Sequence, residues 1–238
     1  MSQRNIDELL NMTEYLSLMR LKLIGGLYFP YLSWGLYSLI SGILSYLGYY
    51  EWWAYLWLPA AFFGSLRPDF KNLKTSIYSW TITGIIYYLT LILWGFKGFI
   101  IVIAVASTLG YGILPSILEK RRVENKSYLA ESIGASFFVI VLSYVALIFV
   151  YRTWTVSPLF AYHFTMMVGV FYGINAAFSR TRILWLWSLL LILGAAVGGY
   201  LRWTWYFPVA LLSISGIYVG IYGYLLHKKS KWEVMENA

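Results

Sequence analysis

Long apolar stretches, broken at intervals by short polar ones, dominate this chain. A transmembrane helix needs about 20 mostly apolar residues to cross a hydrocarbon core about 30 Å thick. Eight stretches meet or approach that need, at 23–47, 52–66, 76–96, 98–118, 128–151, 158–179, 182–201 and 203–226. The expected fold is therefore all-α, a polytopic transmembrane bundle of about eight spans, with six as the fallback. The second stretch is the weakest. From Trp52 to Leu66 it reaches only about 22 Å at 1.5 Å per residue, and Pro59 lies inside it. It either crosses a thinned bilayer or dips in and returns.

Residues 1–22 carry a different pattern. Ile6, Leu9, Leu10, Met12, Leu16 and Met19 form an apolar stripe at helical spacing that runs on to Leu23. Asn5 is placed to cap a helix that carries Asp7 and Glu8 in its first turn. This predicts an amphipathic helix lying in the cytoplasmic interface before the first span, or else docked on a partner. No short apolar core followed by a small-residue cleavage site appears, so no cleaved signal peptide is expected. Residues 227–238 read as a cytoplasmic tail.

Charge then orients the bundle. Fifteen of the 18 Lys and Arg fall on one side of alternating loops: Arg4, Arg20 and Lys22; Arg67, Lys71 and Lys74; Lys120, Arg121, Arg122 and Lys126; Arg180 and Arg182; Lys228, Lys229 and Lys231. Only Lys97, Arg152 and Arg202 fall on the other. The positive-inside rule then places both termini in the cytoplasm of a multi-pass protein of the cell membrane. The net charge of +8 reads as topogenic, with attraction to anionic headgroups, and no nucleic acid is an expected partner. Composition agrees. The chain is 60% hydrophobic and 12% charged, against about 45–50% and 25% in soluble domains. Trp and Tyr gather at the span ends, as Trp52, Trp53, Tyr151, Trp154, Trp203 and Trp205 do on the outer side, in the manner of an interfacial belt.

Two internal patterns bear on packing. The segment from Phe62 to Gly112 resembles that from Phe171 to Gly223, about 110 residues on, so a parallel repeat of four helices each is a possible plan. Gly169 and Gly173, Gly194 and Gly198, and Gly216 and Gly220 are each four apart, which lets a second backbone approach on one face. Pro30, Pro115 and Pro208 fall within spans and can kink them.

The chemistry is mostly excluded. The absence of Cys removes disulfides, thiol catalysis and Cys-bound metals. None of the ten acids, and no Lys or Arg, falls at a bilayer midplane in this topology, which argues against a self-contained proton- or sodium-coupled carrier. Glu131, the deepest acid, is read as paired with a basic loop residue such as Lys126. His163 and His227 lie at opposite depths and cannot bracket a haem in one chain. His163 with Met166 and Met167 is read as packing rather than as a copper(I) site. No nucleophile elbow, phosphate loop or zinc motif occurs. Ser107, Thr108, Thr165, Asn175, Ser213 and Ser215 are polar groups within spans, read as glue between helices. No catalytic, cofactor or metal site is expected, nor an enzyme.

The reading this leaves is a permease-type subunit that moves an apolar or amphipathic solute and is energised by a separate partner, such as a cytoplasmic ATPase. Arg67, Lys71, Lys74, Arg121 and Arg122 would then contact that partner or anionic lipid. The plan is loosely similar to export-type ABC permease subunits, which usually have six spans, and no motif carries the likeness. The alternative is a non-catalytic accessory subunit of a larger membrane complex, among other protein subunits. A lipid-modifying enzyme comes third, since Asp69 stands almost alone where such enzymes cluster Asp or His.

Overall fold

The computed structural model describes residues 24–49, 52–70, 72–94, 103, 105–118, 158–179 and 181–236, and every regular element among them is helical. The helices are α1 (Tyr28–Tyr46), α2 (Trp52–Gly64), α3 (Leu73–Trp94), α4 (Leu114–Leu118, preceded by a π-helical stretch at Thr108–Ile113), α5 (Pro158–Ser179), α6 (Arg182–Tyr200) and α7 (Tyr206–Glu236). Among the described residues, three segments are long and apolar enough to cross a membrane: Leu73–Leu93, Arg182–Tyr200 and Tyr206–Lys229. By that measure this is a membrane protein. The amphipathic segment 1–22, the stretch 128–151 and Glu131 lie outside the described residues.

Burial differs from that of a water-soluble bundle. Large apolar side chains such as Ile43, Ile85, Ile92, Leu93 and Leu193 face outward, while Ser79, Thr83, Thr165, Asn175, Ser188 and Ser215 are buried. Lipid tails are as apolar as Leu, so the inside of such a bundle selects small and hydrogen-bonding groups rather than more hydrocarbon.

The most extensive packing joins α1 to α7, followed by α5 to α6 and α1 to α2. Glycine makes the first contact possible. A Cβ built on Gly35 would stand 2.5 Å from the Ile217 amide nitrogen, and one on Gly216 would stand 2.6 Å from Gly35 Cα. Gly220 meets the Leu32 backbone, Gly25 meets His227, and Gly42 meets Val209. One apolar cluster, with Trp57, Trp80, Tyr87 and Leu91, ties α2 to α3. A second, with Tyr31, Tyr172, Leu184, Leu191 and Val219, ties α1 to α5, α6 and α7.

Helix α2 is only 13 residues long, about 20 Å, and has Pro59 inside it. Hydroxyls from its neighbours hold it. Tyr37 donates to Trp53 O (2.9 Å), Tyr87 to Ala54 O (2.7 Å), Tyr88 to Tyr55 O (3.0 Å), Ser33 to Ala60 O (2.6 Å) and Tyr111 to Ala61 O (2.9 Å). The Tyr88 bond has a specific cause. Proline has no N–H, so the carbonyl four residues before Pro59, that of Tyr55, loses its helical donor.

The other prolines are accommodated differently. The chain turns at Leu27, so Pro30 falls in the first turn of α1, where a missing N–H costs little. Pro208 takes the same place in α7. Pro115 follows the π-helical stretch, whose wider turn gives its ring room. None of the three breaks a helix at its centre. Several boundaries differ from the sequence expectation, among them the starts of α1 at Tyr28 rather than 23 and of α7 at Tyr206 rather than 203. Helix α3 starts at Leu73 rather than near 76, because the Asn72 carbonyl takes its first helical bond from Ser76 N (2.9 Å). Helix α7 does not stop at Leu226 but runs on to Glu236, since no Gly or Pro follows Gly223 to end it.

Candidate functional site

The basic loop between α2 and α3 is built around Asn72. Its Nδ2 donates to Ser65 O (2.9 Å) and to Ser76 Oγ (2.9 Å), and its Oδ1 accepts the Arg67 N–H (2.7 Å). Below it, Ser65 Oγ donates to Phe62 O (2.7 Å) and accepts from Trp80 Nε1 (2.8 Å). One amide thus closes the loop, and one indole anchors it to α3. The loop also holds Phe70 at a φ of 55°, a left-handed conformation unusual for an aromatic residue, with its ring against Phe29 at 5.4 Å. Arg67 and Lys74 are both exposed at this end of the α2–α3 hairpin. Lys71, Arg121 and Arg122 lie outside the described residues.

The interior supplies the second element. Ser76, Ser79, Thr83 and Tyr87 fall three or four residues apart on α3, and all four are buried. Tyr87 has its acceptor on α2, and Ser76 belongs to the Asn72 network. Ser79 Oγ and Thr83 Oγ1 have no hydrogen-bond partner among the described residues. Across the bundle the Tyr31 and Tyr172 rings meet edge to face at 5.0 Å. Asn175, one turn on from Tyr172, donates to Phe171 O (2.9 Å). Its Oδ1, and the Tyr31 hydroxyl, are buried and likewise unpartnered there.

Other polar groups bond to backbone carbonyls. Ser213 bonds Val209 O, Ser215 bonds Leu212 O and Thr165 bonds Ala161 O within their own helices, and Thr165 Oγ1 also reaches Pro208 O of α7 at 3.5 Å. Ser188 crosses from α6 to Gly169 O on α5 at 2.7 Å. That contact depends on Gly169 and Gly173, whose added Cβ atoms would stand 3.1 Å from Ser188 O and 2.9 Å from Ser188 Oγ. Gly194 and Gly198 face Leu211 and Phe207 of α7, and Gly216 and Gly220 face α1. His163 is exposed, whereas the His227 ring lies 5.8 Å from that of Tyr28. No group of three or more His, Asp or Glu able to hold a metal occurs among the described residues.

Among the described residues, every buried polar side chain is a neutral hydroxyl or amide. Such groups bind by donating and accepting hydrogen bonds, and they neither carry charge nor transfer protons near neutral pH. The α3 hydroxyl stripe was readable as Ser and Thr spaced along a single helical face within an apolar segment. The role of Asn72 was not, because its partners belong to a loop whose closure no local pattern announces. Comparison with protein-family models, curated proteins and solved structures finds no match to this chain.

Proposed function

We propose that this chain is a permease-type subunit of about eight spans with both termini in the cytoplasm, moving an apolar or amphipathic solute with energy from a separate partner such as an ATPase. The 4+4 parallel repeat and the cytoplasmic docking role of the 67–74 and 120–126 loops belong to the same reading. The observation that carries it is the set of buried neutral atoms without a hydrogen-bond partner among the described residues, Ser79 Oγ, Thr83 Oγ1, the Tyr31 hydroxyl and Asn175 Oδ1. Leaving a buried donor or acceptor unpaired costs about 1–3 kcal/mol each. A bundle serving only as scaffold gains nothing from that cost, whereas a path for a solute with its own hydroxyl, ester or amide groups uses it. The buried hydroxyls and amides among the apolar core support that reading.

Purification from the native membrane in mild detergent, with co-purifying proteins identified by mass spectrometry, tests this reading. An associated ATPase is the expected result. Catalytic or redox subunits in its place would make the chain an accessory subunit. A chain that comes alone would overturn both readings.

A further inference from the structure

A shallow, open apolar groove runs along the outside of the α2–α3 hairpin, lined by Leu58, Trp80, Gly84, Ile85, Tyr88 and Ile92. Two features of the fold create it. Helix α2 is too short to flank α3 to its end: Tyr87 and Tyr88 already reach the first turn of α2, and Ile92 and Leu93 beyond them are 78% and 76% exposed. Gly84 adds no side chain where α2 still runs alongside, and Leu58 of α2 packs over it, its Cδ2 2.8 Å from where a Cβ would stand, so that the two residues together form the groove's α2 side.

A positive charge lies on the same helix face beyond the groove. Lys74, Tyr78, Thr81, Ile85, Tyr88 and Ile92 follow one another at steps of three and four residues, so they share one face of α3. Lys74 is exposed in the first turn, Tyr78 is 63% exposed above it, and Arg67 is exposed on the adjoining loop. In sequence, that loop carries Arg67, Lys71 and Lys74 against the single acid Asp69. The lengths fit a bilayer lipid. From Trp80 to Ile92 the helix rises about 18 Å, close to the roughly 15 Å of one leaflet's hydrocarbon. Lys74 lies about 10 Å before Thr81, which leaves room for a glycerol and a phosphate.

We infer that this face is a binding site for one anionic glycerophospholipid, with an acyl chain in the Gly84 groove and the headgroup phosphate at Lys74. The site rests on the face being turned toward the bilayer and requires no transport activity, so it stands or falls separately from the permease reading. Its physical basis is the coincidence of an apolar trough with a positive charge beyond one end. The trough accepts hydrocarbon of any lipid, and the charge selects the anionic headgroup. Lysines near an anionic surface are worth about fivefold in affinity each.

The test is native mass spectrometry of the delipidated full chain in detergent, titrated with palmitoyl-oleoyl phosphatidylglycerol or with the corresponding phosphatidylcholine. The wild type should bind the first lipid about fivefold more tightly than the zwitterionic one at a single preferred site. Lys74→Gln should remove that preference while keeping chain binding, and Ile85→Trp, which fills the groove from an exposed position, should weaken both lipids. Thr81→Trp, further along the same face, repeats the measurement if Ile85→Trp lowers the unfolding temperature. Equal affinity for the two lipids in the wild type would overturn the inference. So would a preference that survives Lys74→Gln, or anionic-lipid binding unchanged in a folded groove-filling variant.

Discussion

The crossing of α1 and α7 makes Gly35→Ala the most informative single substitution in the bundle. The new methyl group would be placed 2.5 Å from Ile217 N and 2.7 Å from Gly216 C. Both are backbone atoms inside a helix, so neither can rotate away. Non-bonded carbon contacts are most favourable at about 3.5–4.0 Å, so the two helices must part by about 1 Å at this point. A gap of that size forfeits a quarter to a half of the attraction of the atoms facing it. The loss extends to the Gly220–Leu32 and Gly42–Val209 approaches on either side. Overpacking of a close contact costs about 1–3 kcal/mol, and the rigidity of both partners places Gly35→Ala in the upper part of that range. Gly26→Ala is the internal control, because nothing lies within 4 Å of its Cβ position. It should be neutral, or stabilising by up to about 1 kcal/mol through helix propensity. Equilibrium unfolding in mixed micelles, followed by circular dichroism, measures both. If Gly35→Ala and Gly26→Ala shift the midpoint equally, close backbone approach is not what holds α1 against α7.

Two further substitutions probe hydrogen bonds that the apolar setting should magnify. Tyr88→Phe removes the donor to the Tyr55 carbonyl, and should cost about 1 kcal/mol in the wild type but close to nothing once Pro59→Ala restores a helical N–H to that carbonyl; additive effects in this double-mutant cycle would refute the link to proline. Thr83→Val replaces a buried hydroxyl, unpartnered among the described residues, with a methyl group of the same shape, so it should raise stability by about 1 kcal/mol; a loss of stability in thermal unfolding would mean that Thr83 bonds within the protein.

Much of the helical frame was legible in sequence because membrane insertion reads length and composition, which are local. The starts of α2, α5 and α6 fall where the apolar segments at 52, 158 and 182 begin. Gly216 and Gly220 stand out by their spacing alone. The glycines that meet α7 from the other side, Gly25 before α1 and Gly35 and Gly42 on it, are ten and seven residues apart and escape any four-residue pattern, although Gly35 makes the tightest crossing. Of the basic residues singled out, Arg67 and Lys74 occupy one hairpin end. What places them there is Asn72, which no charge pattern selects.

Sequence by itself therefore determined that the described chain is helical, that several of its segments are long and apolar, and that its interior would have to bond through neutral side chains. Which face of each helix turns inward was decided only by the tertiary structure. In water, an amphipathic stripe announces the buried face; in lipid, both faces are apolar and that signal fades. The choice passes to fit and to hydrogen-bond satisfaction. Gly35 lies on Gly216 because only there do two backbones meet without a Cβ between them. Tyr88 lies over Tyr55 because Pro59, four residues on in another helix, left that carbonyl without a donor.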